Sequence, residues 1–232
     1  MANYLVIAAS SAIGQAVVDI LTSQGDSVFT TARDNSKIQP NAQLDATDFD
    51  AVCEVFKQAG QIDGVVNCAG SLLLRSAHTT SKEQYQAVID ASLTTAFATV
   101  RAAGMHMKSG GSVVLISSAA ALVGLTNHEA ISAAKAGLIG IAQSAASTYA
   151  NLNLRFNVVA PGMTDTPLTS SLISNALAFN ASKSMHALGR IGTPEDIARA
   201  IVFLLNPQNN WITGQVLAVD GGLSRIRPKI KI

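Results

Sequence analysis

Tyr4-Leu-Val-Ile-Ala-Ala-Ser-Ser-Ala-Ile-Gly14 passes from a short apolar run through a polar turn into a helix-period segment. That unit recurs along the chain. Short Val/Ile/Leu-rich runs predict strands at Tyr4–Ala8, Ser27–Thr31, Ala42–Asp45, Gly64–Asn67, Ser112–Ser117, Arg155–Ala160 and Val216–Val219. Between them, helix-period segments predict helices near Ile13–Ser23, Asp48–Gln58, Lys82–Met107, Glu129–Tyr149 and Pro194–Leu205. Thr193-Pro-Glu-Asp196 reads as a helix start, with a Thr N-cap, Pro at the first helical position and acids at the positive end of the dipole. Strands alternating with helices imply βαβ units and a parallel sheet buried on both faces. Right-handed crossovers make it an α/β doubly wound sheet of about seven strands, with ligands expected at the carboxyl ends of the strands.

Composition narrows the function. The 232 residues suit one domain, and 48% apolar against 13% charged residues argues against disorder. A net charge of +1, with no basic run before the last eight residues, argues against a nucleic-acid groove. No apolar stretch approaches a membrane span, and Tyr4–Ala9 is too short for a signal core, so the expectation is a cytoplasmic chain without a membrane partner. Cys53 and Cys68 have neither metal-ligand nor disulfide spacing, and no metal is expected. Met163–Arg190, polar and following a strand, suits a mobile lid. The tail, residues 225–232, alternates Arg225, Arg227, Lys229 and Lys231 with Ile226, Pro228, Ile230 and Ile232, which fits an extended arm as well as a frayed end.

Several ordered segments carry a family pattern. They are the first turn, Val6-Ile-Ala-Ala-Ser-Ser-Ala-Ile-Gly14; Asn67-Cys-Ala-Gly70; Ser118 and Lys135; Pro161-Gly162 with Thr166; Ile212-Thr-Gly-Gln215; and Val219-Asp-Gly-Gly222. From Tyr4 to about Leu223 they resemble the short-chain dehydrogenase/reductase family, whose first turn reads T-G-x-x-x-G-x-G. Ile7, Ala8 and Ala12 stand at the Thr and first two Gly positions, and Gly14 matches. Alanine serves there if φ stays negative. The resemblance implies a single Rossmann-like domain over residues 1–224, including the lid, and cofactor contacts from Ser10, Ser11, Ile13 and Gly14. It further implies that Asp45 and Ala46 meet the adenine, that Asn67, Ala69 and Gly70 flank its ribose, and that Pro161, Gly162 and Thr166 steady the nicotinamide. At the end of the second strand, Ala32 replaces the acid that would bind the NAD ribose, and Arg33 follows it. A guanidinium there can hold a 2′-phosphate, so NADP(H) is favoured over NAD(H); the plainer reading is an exposed loop arginine.

In the family, tyrosine moves a proton at the substrate oxygen, lysine holds the ribose and lowers the tyrosine pKa, serine orients the carbonyl, and asparagine supports a relay water. Ser118 and Lys135 match, Ser92 stands at the asparagine position, and Ile131 stands at the tyrosine position. General acid catalysis typically supplies on the order of 10²–10⁴ in rate. Three readings follow. His128, spaced i, i+3 and i+7 with Ile131 and Lys135, supplies the proton, or is an exposed polar residue at a helix start. Lys135 acts through a water in a pocket with Ser118 and Ser92. Or the chain binds NADP(H) without turnover, as a sensor or structural subunit. The expected function is thus an NADP(H)-dependent oxidoreductase acting on a carbonyl, hydroxyl or enoyl group, with non-standard proton donation. Leu72-Leu-Leu74, Val123, Leu125, Met163, Leu168 and Met185 suggest a small, apolar-leaning substrate. Ala134, Gly137, Leu138, Ile141 and Ser144 suit helix packing in a homo-dimer or homo-tetramer, or packing on the sheet.

Overall fold

In β1 (Asn3–Ile7), Tyr4 and Val6 turn to one side and Leu5 and Ile7 to the other, and all four are buried. The same holds in β4 (Gly64–Asn67), with Val65 and Val66 on opposite faces, and in β5 (Gly111–Ile116), with Val113 and Leu115 opposite Val114 and Ile116. A strand apolar on both faces must be covered on both faces. The computed structural model describes residues 1–227. Among them β2 (Ser27–Ala32), β3 (Ala42–Gln43), β6 (Leu154–Pro161) and β7 (Val216–Val219) complete a seven-stranded parallel sheet, ordered β3-β2-β1-β4-β5-β6-β7.

One face is covered by α2 (Phe49–Ala59), α4 (Thr95–His106) and α5 (Glu129–Thr148), the other by α1 (Ala12–Ser23) and α8 (Pro194–Leu205). Their apolar stripes enter two cores: Val52, Phe56 and Leu138 on one side, Val17, Leu21, Ile197 and Ile201 on the other. The α8 start forms as its sequence predicts. Thr193 Oγ1 accepts from Asp196 N, Asp196 Oδ2 accepts from Thr193 N, and Pro194 occupies the first turn. At the start of α1, Ser11 Oγ accepts from Gly14 N. A Cβ on Gly14 would lie 2.8 Å from Ala8 O and 2.9 Å from Ala9 Cα, so only glycine lets the helix approach the turn.

The structure departs from several expectations. Ala8 has a φ of 58°, not a negative one, so a methyl-bearing residue occupies the left-handed region that the family fills with glycine. The helix expected over Lys82–Met107 is interrupted: α3 (Lys82–Ile89) and α4 are joined by a π-helical turn at Asp90–Thr94. The third strand is two residues long, because Leu44 N bonds back to Ala32 O and Asp45 enters a turn on Thr47. The 163–190 lid is not mere loop; it contains α6 (Ser170–Ile173) and α7 (Ala176–Met185), the latter capped by Asn175. In the tail, Ile226 N donates to Gly222 O at the end of a turn rather than opening an extended arm, and the rest of that arm lies outside the described residues.

Ala8→Gly relieves the left-handed alanine, a cost of roughly 1 kcal/mol. The variant should melt about 2–4 °C higher than wild type by calorimetry; an unchanged or lower melting temperature would count against strain at this turn.

Candidate active site

Ile7 pairs with Asn67 and Asn67 with Leu115, so β1, β4 and β5 end at one level. The strand order reverses direction between β1 and β4, and the crevice above them is where ligands bind in such sheets. The first turn, the segment after Asn67 and the Ser117-Ser118 pair all open onto this edge.

Lys135 reaches it from α5. Its Nζ donates to Ile116 O at 2.8 Å, and the residue is 7% exposed. Ser117 Oγ donates to Lys135 O at 2.7 Å, which pins this turn of α5 to the end of β5. Gly70 closes over the amine: a Cβ there would lie 3.1 Å from Nζ. Burial lowers the Lys135 pKa to about 8, only slightly opposed by Cys68. The Cys68 thiol is itself pushed up to about 12 by burial, so it stays protonated and supplies no counter-charge. The site therefore holds an amine whose two protonation states are both accessible near neutral pH.

Ser118 Oγ accepts from Ala120 N at the start of a short 3₁₀ turn. Ser92 lies in the π turn, 1% exposed, and its Oγ has no hydrogen-bond partner. Ser71 Oγ, next to Gly70, is likewise buried and unpartnered. Ile131 is 3% exposed and packs with Ala130, Ala134 and Val88, and against Leu73 and Ile89. His128 is the N-cap of α5, and its carbonyl accepts from Ser132 N. It is the residue before the helix, with φ −109°, and its Nδ1 lies 2.7 Å from Thr126 O.

The expected cofactor residues line the same edge. The amides of Ala12 and Ile13, in the first turn of α1, lack backbone partners, which is the arrangement that receives a phosphate. Arg33 is exposed and makes no hydrogen bond with the described residues. Asp45 is exposed, and hydrogen bonds from Thr47 hold its carboxyl below the usual range; Ala46 beside it is buried. The Asn67 amide is spent on structure, donating to Thr99 Oγ1 and accepting from Ala69 N. Thr166 opens a short turn, its N–H donating to Thr169 Oγ1.

Comparison with known proteins gives the same assignment. The family model described as enoyl-(acyl carrier protein) reductase matches residues 7–224. The chain belongs to the short-chain dehydrogenase/reductase family. It is 32% identical to 3-oxoacyl-[acyl-carrier-protein] reductase FabG of Thermotoga maritima over 243 residues, covering 94% of this chain and 96% of the relative. Among solved structures, ligand-free aldohexose dehydrogenase of Thermoplasma acidophilum superposes with a TM-score of 0.90 at 29% identity, covering 100% of this chain and 97% of that one. ElxO with NADP bound superposes with a TM-score of 0.88 at 30% identity, covering 96% and 99%. The family uses NAD(P) cofactors, and the seven-stranded sheet is its single-domain fold.

In this short-chain dehydrogenase/reductase, the residues of the suspected apolar wall have different surroundings. Val123 and Leu125 line an open cleft of about 400 Å³ beside Ser132, Met163 lines a separate cavity of about 500 Å³ with His186, and Leu168 and Met185 are exposed. The α5 stripe turns mainly inward. Ala134 and Leu138 are buried, a Cβ on Gly137 would meet Leu93, and Ser144 is exposed. Ser117, Ser71 and His186 carried no signal in a pattern built on Ser118 and Lys135. No described helix is long and apolar enough to cross a membrane.

The Lys135 shift has a stability consequence. Its folded pKa, about 8, lies below the ordinary 10.5, so the unfolded chain binds the extra proton between these values and stability rises with pH there. The difference in melting temperature between Lys135→Met and wild type should favour the variant most below pH 8 and shrink as pH climbs toward 10.5. A difference constant across that range would mean that the amine is not charged at a penalty.

Proposed function

We propose that this chain binds NADP(H) in preference to NAD(H) and reduces a small, apolar-leaning carbonyl or enoyl substrate, or oxidises the corresponding hydroxyl, with Lys135 replacing a phenol as proton source. The observation that carries this reading is the buried Lys135 amine without a counter-ion, at the carboxyl edge of β5. Ile131 stands in the tyrosine position and offers no proton. Bound, the nicotinamide supplies or accepts the hydride.

The chain's own groups divide the remaining work. Ser10, Ser11, Ile13 and Gly14 hold the pyrophosphate against the start of α1, where free amides suit it, although the Ala8 and Ala12 methyls crowd the turn. Arg33 holds the 2′-phosphate, Asp45 and Ala46 border the adenine, and Asn67, Ala69 and Gly70 shape the ribose wall. Pro161, Gly162 and Thr166 border the nicotinamide. Ser118 orients the substrate oxygen. Lys135 gives it a proton through a water shared with Ser92, whose free hydroxyl fits that role, and solvent restores the ammonium. A donor with pKa near the working pH gives the best balance of populated acid and driving force. Homo-dimer or homo-tetramer assembly is part of the same proposal, with half-exposed Phe97 and Met105 on α4 as available surface; its mass in solution decides it.

Because the ammonium is the donor, reduction should slow as pH rises through about 8, by roughly tenfold per unit beyond it. Lys135→Met should abolish turnover, while His128→Ala leaves it unchanged; loss of activity in the histidine variant would transfer the role to His128. Calorimetry should show tighter binding of NADPH than of NADH. Arg33→Ala should weaken NADPH by about tenfold or more, the scale of a charge-assisted hydrogen bond, and leave NADH unaffected. Equal affinities would end the NADP(H) preference. The packing of Ile131 among Leu73, Val88 and Ile89 favours a second reading, an NADP(H) binder without turnover. NADPH that binds but is never consumed across a carbonyl and enoyl panel would select it.

A further inference from the structure

The lid leaves the sheet after β6 and returns before α8, and its two ends meet at a neck. Gly192 N donates to Met163 O at 2.8 Å, and Asp165 N donates to Gly192 O at 2.9 Å, making a parallel bridge between Thr164 and Gly192. One side chain enters this neck from inside the lid. His186, directly after α7, is 3% exposed; its Nδ1 lies 2.7 Å from Ser182 O, and its Nε2 lies 3.1 Å from Met163 N. A carbonyl can only accept and a backbone amide can only donate, so the partners assign the tautomer. Nδ1 carries the hydrogen, and Nε2 offers its lone pair to Met163.

Two glycines let the ring approach the strand ends closely. A Cβ on Gly162 would lie 2.7 Å from Nε2, and one on Gly221 would lie 3.5 Å from the ring. Gly162 and Gly221 follow β6 and β7, so the imidazole is wedged where both strands end. Leu188 N bonds to Gly221 O at 3.0 Å, which ties the residues after the ring to the same place. Asp220 flanks the ring; burial pushes its carboxyl up, but hydrogen bonds from Ser224 and Gly222 hold it below the usual range, so it remains an engaged anion. Met163 thus has its amide held by His186 and its carbonyl held by Gly192, and Thr166 is three residues on.

We propose that His186 is a positioning residue for the cofactor: by accepting the Met163 amide, it sets where the lid starts and where Thr166 meets the nicotinamide. This rests on the reading of Thr166 as a nicotinamide contact. A purely space-filling ring would act through its volume, whereas a positioning ring acts through the acceptor at Nε2, and two amide side chains separate these roles. His186→Asn keeps a donor near Nδ1 for Ser182 O but loses the acceptor for Met163. His186→Gln carries a carbonyl oxygen out to the Nε2 position and keeps it.

In the ligand-free protein, hydrogen exchange of amides in 163–169 should quicken by about tenfold in His186→Asn and His186→Ala, and stay within about twofold of wild type in His186→Gln, as expected for one net hydrogen bond. NADPH dissociation constants should follow the same order, weakened about tenfold in the first two and restored in the third. Glutamine behaving like alanine, or alanine behaving like wild type, would overturn the proposal. So would exchange that responds while NADPH affinity does not. Wild type that fails to bind NADPH would instead overturn the cofactor reading and with it the Thr166 link, and the exchange rates would still judge the neck.

Discussion

The central strands are covered on both faces, and this constraint places everything else. Leu5, Val6, Val65, Val66, Val113, Val114, Phe156 and Val159 fill those faces, and the polar residues buried in the strands, Ser112, Arg155 and Asn157 among them, are spent on backbone carbonyls. Groups free for chemistry therefore gather where strands stop, and the level pairing of Ile7, Asn67 and Leu115 sets three of those stops side by side. Lys135 is the expensive member of that edge. A buried ammonium without an anion is unfavourable unless its protonation shifts, and burial shifts it here. The Ile116 carbonyl and the close approach of Gly70 hold the amine in place, while the high pKa of Cys68 denies it a partner.

What could be read in advance follows from how local each feature is. The strand runs and the Thr193 capping box depend on neighbours in sequence, and they appear where periodicity and side-chain chemistry put them. Ala8 could not be read in the same way. The left-handed turn is imposed by bringing α1 against Ala8 O and Ala9, a tertiary demand that overrides alanine's preference. The π turn at Asp90–Thr94 escapes a periodicity count, since its wider i→i+5 turn spans only five residues and the helices on either side keep the ordinary period. The segment expected to be a mobile lid is polar overall, yet α7 is Ala-rich and capped by Asn175, and these local features give it helical turns. His128 is the N-cap of α5 with its ring engaged on Thr126 O, a local contact that the i, i+3 and i+7 spacing does not show.

Ile131 and Lys135 lie about one helical turn apart and differ in what surrounds them. Ile131 joins a small apolar cluster with Leu73, Val88 and Ile89 and contributes packing. Beside them the hydroxyls of Ser92 and Ser71 have no partner among the described residues, and the Lys135 amine has a single carbonyl partner, Ile116 O. Their desolvation is offset only when a ligand or water meets them.

The bridge between Thr164 and Gly192 makes the lid a closed loop hung from a fixed hinge. The segment between the bridged positions also meets the strand ends through the His186 ring and Leu188 N, so it is anchored from inside as well as at its neck. Changes confined to its exposed residues, such as Leu177, leave β6, α8 and the strand ends at their spacing.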